Sequence, residues 1–447
     1  MKERKFTTEN REKEFYHGVS RSEDHGVSRS EDEIHKKNSM FLCVLCGFLF
    51  LISTPLLSSP LSSPSWGFSL DLPEDYVYTG GDGRDRFSFA NPNGAQFDLV
   101  VYAEGMTASY ASVEQMAKDV ASRLNNSGDM EAFVYRDKEA YLLELSFTLG
   151  SGRNSERMSG WALCLELASP NLPAALPTAP QGNSRSNQTA NTPQAKTLLF
   201  AMAYGPAART HLQQLHLSAL DSIAPEEADK RAPGPITEYI YPREKRIQAQ
   251  IFGLGNAGGI YAQIFEDDAE AAQALVDREF SVLSLYAGSA RWREAWARYY
   301  RAIYRDSYDR LADIAFQVER NLNVPARENR DFAEQVLHWV QSFGYERDFE
   351  GSDFVNLVSA ATEGRGDCDS RAMLWVIILK QANINAAMMV SQHYSHAMGL
   401  ADLPGAGARF AVDGQRLLVA ETTAQVSIGL IGETVSETEH WLGIAFE

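Results

Sequence analysis

Cys368, His396 and Glu421 are a thiol, an imidazole and a carboxylate in that order along the chain, the three parts that thiol-based acyl transfer requires. Cys368 stands in Gly-Arg-Gly-Asp-Cys-Asp-Ser-Arg-Ala at 364–372, a glycine turn followed at once by a helical apolar pattern through Ala372, Trp375, Ile378, Leu379 and Ala382. A helix start offers unpaired N–H groups and a positive dipole end, so the spacing predicts a thiol pKa lowered toward the thiolate. Gly364 and Gly366 are expected to turn the backbone and leave the sulfur open to a substrate. Asp367 and Asp369 are expected to cap the helix rather than do chemistry.

The elements that must position the other two parts follow downstream. Residues 386–390 read as a strand, 391–395 as a turn and 396–401 as a returning strand on which His396, Met398 and Leu400 share one face. Arg416-Leu-Leu-Val-Ala-Glu-Thr-Thr reads as a third strand, with Leu417, Val419 and Glu421 on one face. Pairing of these strands, with the cysteine helix on that face, would let Glu421 orient the imidazole of His396.

Here the chain resembles the transglutaminase-like superfamily of papain-related cysteine enzymes. Cys368 in Gly-Asp-Cys-Asp, His396 in His-Ala-Met and Glu421 in Ala-Glu-Thr-Thr carry the resemblance, with a helix over 332–342 and Gly-Tyr-Glu-Arg-Asp at 344–348 before them. It covers roughly residues 330–432 and implies an antiparallel sheet with the cysteine helix packed on it, and a Cys-His-Asp/Glu triad. Glu421 stands where Asp is commoner, and Met398 stands where many members carry an aromatic residue. The implied activity is cleavage or transfer of an amide acyl group through a thioester. Hydrolysis is favoured over amine transfer, because no sign of a water-excluding amine tunnel is present. The backbone N–H of Cys368 is the expected first oxyanion donor. The alternative is an idle binding or scaffold module of the cell envelope. The non-catalytic readings are an inert buried cysteine, a satisfied core histidine, and a sheet-edge pairing of Glu421 with Arg416 or Arg409. His393 lies three residues before His396, but no fourth ligand stands out, so neither a metal nor a cofactor is expected.

The formal charge is −18 over 447 residues. Residues 1–39 hold nine basic and nine acidic side chains and 40–67 hold none, so the whole imbalance falls on 68–447. Such a body repels nucleic acid and anionic lipid. A protein or peptide substrate is the expected partner. His-Gly-Val-Ser-Arg-Ser-Glu-Asp occurs in tandem at 17–24 and 25–32, in a stretch too polar to bury a core and expected to be disordered. Lys36, Lys37 and the apolar run from Met40 read as a bacterial export signal over 40–67, with Met40 the expected start and cleavage after Ser65 or Gly67. The protein is then periplasmic or extracellular, with a membrane anchor over 41–57 if the signal is kept. Cys43 and Cys46 fall inside the signal, leaving Cys164 and Cys368, which is no disulfide framework.

The fold class is α+β. Residues 68–225 read as a strand-rich domain with two helices (112–124 and 207–223) on one face, strands at 98–103, 132–135, 140–147, 160–168 and 197–204, and a solvated loop at 169–194. Residues 226–235 read as a linker, 236–329 as a strand hairpin and long helices packing on the catalytic domain, and 330–447 as the transglutaminase-like domain. The glycine-rich 253–259 lacks the helix and βαβ frame of a dinucleotide site and reads as a hairpin turn. Trp292, Trp296, Tyr299, Tyr300 and Tyr304 recur at helical spacing and read as helix packing beside the catalytic domain, from where they could line its cleft.

Overall fold

Strands that are apolar on both faces need cover on both. In the N-terminal half Leu163, Cys164 and Leu165 are consecutive and fully buried. The computed structural model describes residues 60–447 apart from 104–105, 107–108, 168–195, 256–257, 323–327 and 348–351. The tandem repeat, the apolar run at 41–57 and the loop at 169–194 lie outside the described residues. Seven antiparallel strands form the first sheet: β1 (Val77–Gly81), β2 (Arg86–Ala90), β3 (Gln96–Tyr102), β4 (Met130–Tyr135), β5 (Lys138–Leu149), β6 (Glu156–Leu167) and β7 (Thr197–Pro206), in spatial order β1-β2-β3-β7-β6-β5-β4.

Helix α1 (Val113–Leu124), capped by Ser112, buries Val113, Met116, Ala117 and Val120 against Leu143, Leu145, Ala162, Cys164 and Phe200. Helix α2 (Gln213–Asp221) sets His216 beside Trp161, with ring centroids 6.5 Å apart. Residues 161 and 162 point to opposite faces of one strand. The two helices therefore cover opposite faces, not one face as the sequence pattern implied. The expected closing helix also starts later, after a short 3-10 turn at Thr210–Leu212.

The stretch at 226–235 is packed chain rather than an exposed linker. Glu227–Arg231 forms a 3-10 helix, Asp229 and Ala232 are buried, and α3 (Pro235–Ile240) follows directly. Arg305 holds it by donating to the carbonyls of Asp221, Ile223 and Asp229 at 2.8–3.0 Å.

A hairpin of β8 (Arg246–Ile251) and β9 (Ile260–Phe265) comes next, then helices α4 (Asp268–Ser284), α5 (Trp292–Arg310) and α6 (Ala312–Leu322). The last segment supplies α7 (Asn329–Gln341), α8 (Leu357–Glu363), α9 (Cys368–Gln381), and strands β10 (Ala386–Ser391), β11 (His396–Ala401), β12 (Arg409–Val412), β13 (Gln415–Ala420) and β14 (Leu442–Ala445). These strands make a second antiparallel sheet in the order β12-β13-β11-β10-β14. Both sheets are antiparallel and, of the helices named, all but α1 lie between them in sequence, an α+β fold.

Helix α9 is buried on every side. Met373, Leu374, Trp375, Val376 and Ile377 are all fully enclosed, which marks a central core helix rather than an amphipathic surface one. It packs on the sheet face that carries Ala397, Ala401, Leu418 and Ala420. Met398, Leu400, Leu417 and Val419 point the other way, into a separate cluster around Trp441. The expected packing face is therefore corrected. Small residues on the helix side let α9 come close, and a methyl group on Gly399 would lie 2.5 Å from the Trp375 ring. Large residues fill the opposite face.

Candidate active site

Gly364 ends α8 in the left-handed conformation (φ 68°), and a Cβ there would collide with the Phe252 ring at 2.2 Å. The chain then turns into α9, whose N-cap is Asp367, accepting from the Ser370 N–H at 2.8 Å. Arg371 clamps the turn from below by donating to Gly366 O (3.0 Å) and Phe343 O (2.8 Å). Cys368 is thus the first residue of the helix, as the sequence implied. The glycine turn does not leave its sulfur open, however: Cys368 is only 4% exposed. The glycines serve backbone turning and the close approach of Phe252.

Asp369 is not a cap. It accepts a hydrogen bond from the Tyr300 hydroxyl at 2.8 Å through one oxygen, and the other takes the Cys368 thiol at 3.6 Å. Tyr300 comes from α5, in the aromatic run that the sequence pattern assigned to helix packing beside the catalytic domain, where it could line the cleft. Burial first, and then the carboxylates of Asp369 and Asp367, push the Cys368 thiol pKa up, while the Ala397 N–H pulls it down. The expectation of a lowered thiol pKa is therefore corrected. The helix start contributes its N–H groups, but two flanking carboxylates and a closed setting outweigh it in the resting protein. Burial also raises the pKa values of Asp367 and Asp369.

Strands β10 and β11 pair in full register from Ala386↔Ala401 to Ser391↔His396, which fixes His396 at the start of β11. Strand β13 pairs beside β11 through Gly399↔Ala420, so Glu421 emerges next to the imidazole. His396 Nε2 and Glu421 Oε2 are 2.7 Å apart. The other oxygen of Glu421 accepts from the Thr423 N–H (2.8 Å) and hydroxyl (2.6 Å). Burial raises the pKa of Glu421, but the bonds from His396 and Thr423 outweigh it and hold the carboxyl below its usual range. Gln341 at the end of α7 donates to the carbonyls of Glu421 (2.8 Å) and Val426 (2.9 Å), pinning the loop that carries the carboxylate. The alternative partner Arg409 instead donates to the carbonyls of Leu403, Gly405 and Arg416.

With Nε2 engaged, Nδ1 is the imidazole nitrogen left for a proton. The Ala397 N–H, one residue from His396, favours the Cys368 thiolate, and Cys368 and Ala397 share one buried cluster. No hydrogen bond joins Cys368 and His396 in this structure; the thiol's side-chain partner is Asp369. The structure therefore brings His396 and Glu421 into contact and packs Cys368 in one cluster with Ala397, the residue next to His396. An aromatic neighbour of His396 is also present, although position 398 is Met: Trp441 lies edge-on at 6.2 Å, held by its indole N–H to Val435 O at 2.9 Å. It enters from just before β14, and no local motif flags it. His393 stacks on His440 at 4.1 Å rather than turning toward Cys368.

No family model matches the chain, and no curated protein matches it. Among solved structures, a protein of Bacteroides thetaiotaomicron VPI-5482 aligns over 55% of this chain and 76% of its own at 8% identity, with a TM-score of 0.23. A likeness that weak speaks to neither fold nor function.

Proposed function

We propose that this protein is an exported transglutaminase-like cysteine acyl hydrolase acting on amide or peptide bonds of a protein or peptide substrate. The observation that carries the reading is the 2.7 Å bond of His396 Nε2 to Glu421, which leaves Nδ1 unengaged, with Cys368 at the start of a helix that packs on the neighbouring Ala397. Substrate entry displaces the thiol from Asp369 toward that nitrogen; catalytic hydrogen bonds commonly tighten only once substrate is bound. His396 takes the thiol proton as sulfur attacks the carbonyl carbon, and Glu421 steadies the imidazolium. The oxyanion forms at the start of α9, where the Cys368 N–H is unpaired within the helix. Collapse breaks the C–N bond, the amine leaves with the proton from His396, and a thioester remains on Cys368. Water, deprotonated by His396, then attacks the thioester and releases a carboxylic acid and the thiol.

The test is hydrolysis of a mixed library of fluorogenic peptide amides. Cys368→Ala is expected to abolish turnover with an unchanged far-UV circular dichroism spectrum. Substantial residual turnover in that variant contradicts the assignment. The second reading, an idle binding module, is favoured by the 4% exposure of Cys368 and its raised thiol pKa. It predicts no turnover of any library member by the wild type.

A further inference from the structure

Trp292, Trp296 and Tyr300 lie four residues apart on α5 and form one stripe along the helix, advancing about 6 Å per step. Their rings follow one another at centroid distances of 5.5 and 6.1 Å. The last of them hydrogen-bonds Asp369, whose other oxygen meets the Cys368 sulfur. The stripe thus runs from Asp369, beside the thiol, to an open groove of about 420 Å³ at Trp292 and Trp296, lined also by Phe280, Leu283, Tyr286 and Gln392. Gln392 belongs to the turn between β10 and β11 that ends at His396, so both walls lead back to the thiol and imidazole.

The lining is neutral, although the chain as a whole carries −18. Two of its few polar groups are already engaged: the Ser284 hydroxyl donates to Phe280 O at 2.8 Å and the Tyr286 hydroxyl to Glu74 O at 2.6 Å. A sugar would bring several hydroxyls to a surface that offers little beyond the Gln392 amide. An aromatic ring would find ring faces and edges, the geometry that π-systems prefer. Such pockets, apolar with one or two placed polar groups, are the usual seats of ligand side chains.

We infer that this groove is the subsite for an aromatic side chain of the peptide substrate, seating it up to about 12 Å along α5 from Tyr300 and so selecting which amide reaches Cys368. The inference rests on the acyl-hydrolase reading and names its substrate class. Gln392 supplies a hydrogen bond to the backbone of the bound peptide.

The test separates binding from chemistry. Cys368→Ala protein is titrated with N-acetyl-phenylalanine amide, N-acetyl-alanine amide and chitotriose, followed by tryptophan fluorescence and calorimetry. The phenylalanine amide is expected to bind about ten-fold or more tightly than the alanine amide. That preference should vanish in Trp296→Ala and in Ser284→Trp, which fills the groove from its exposed wall. Far-UV circular dichroism and the urea midpoint are measured on both variants to separate loss of binding from loss of fold. A lowered midpoint in Trp296→Ala would mark a packing defect in that variant, and Ser284→Trp then decides. Equal binding of the two amides, or tighter binding of chitotriose, overturns the subsite. An aromatic preference in a protein whose Cys368 is inert to acyl donors would instead leave the subsite standing and remove the hydrolase reading.

Discussion

The Asp369 carboxylate sits 3.6 Å from the Cys368 sulfur, and a negative charge at that distance opposes a second one on the thiol. Asp369→Asn keeps an acceptor for the Tyr300 hydroxyl while removing the charge. It should lower the thiol pKa by about one unit or more, so iodoacetamide labelling at pH 7.5 should quicken about ten-fold. An unchanged or slower rate would show that burial alone, not Asp369, sets the resting thiol. At this scale the sequence was informative where roles follow from residue type and order. Cys368 before an apolar helix, His396 at a strand start and Glu421 at a strand end could all be placed. The sequence did not reveal the closure of the site, because Asp369 and Tyr300 meet only when α5 and α9 are packed together. Trp441 was equally hidden, since its place beside His396 depends on β14 joining β10.

Helix α9 and strand β11 depend on each other through one missing side chain. Gly399 leaves room for Trp375, which is fully buried and donates its indole N–H to Ala333 O at 3.0 Å. Gly399→Ala should overpack this contact and cost about 1–3 kcal/mol, seen as a lower urea midpoint with an unchanged slope. A neutral outcome would mean that α9 can shift on the sheet, and the placement of Cys368 would then be loose. The element boundaries were largely legible: the β10–β11 hairpin, α1 and α9 follow from periodicity and capping residues. Which face α9 covers was not. His396, Met398 and Leu400 share a face by period two, but small residues at Ala397, Gly399 and Ala401 decide where a helix can approach. The same limit applies to α1 and α2, because alternation says that two faces exist and not which helix takes which.

Across residues 60–447 a charge network, buried except at Arg301 and Asp71, joins the first sheet's helix α2 to α4 and α5. Arg278 pairs with Asp221 and Glu279, Arg298 with Glu279 (2.7 Å) and the Ser218 hydroxyl (2.7 Å), and Arg301 with Asp71 (2.9 Å). Arg298→Ala leaves Glu279 short of a buried partner and should cost about 3–5 kcal/mol. One cooperative unfolding transition is expected in the parent protein. Separate transitions for the two sheets would contradict a network that binds them into one unit. The domain division read from sequence could not reveal this, because each arginine pairs with residues far off in the chain.

His216 adds a pH dependence. It is 2% exposed, neither ring nitrogen has a hydrogen-bond partner among the described residues, and burial lowers its pKa to about 3. The unfolded chain binds that proton near its ordinary 6.5 and the folded one does not, so stability falls as pH drops from about 6.5 to about 3. The slope is about 1.4 kcal/mol per pH unit in that window. His216→Leu should flatten the slope between pH 6 and 4 in urea titrations; an unchanged slope would assign the acid sensitivity to other groups.

The central claim is that Cys368 forms an acyl intermediate with His396 as its base. The most direct measurement is intact-protein and peptide-level mass spectrometry after brief exposure to p-nitrophenyl acetate, with released nitrophenolate followed in the same samples. The account predicts one acetyl group on Cys368 that is lost again to water, and acetylation slowed about a hundred-fold or more in His396→Ala, the usual worth of a positioned base. Acetylation absent from Cys368, or proceeding equally fast without the imidazole, would contradict it.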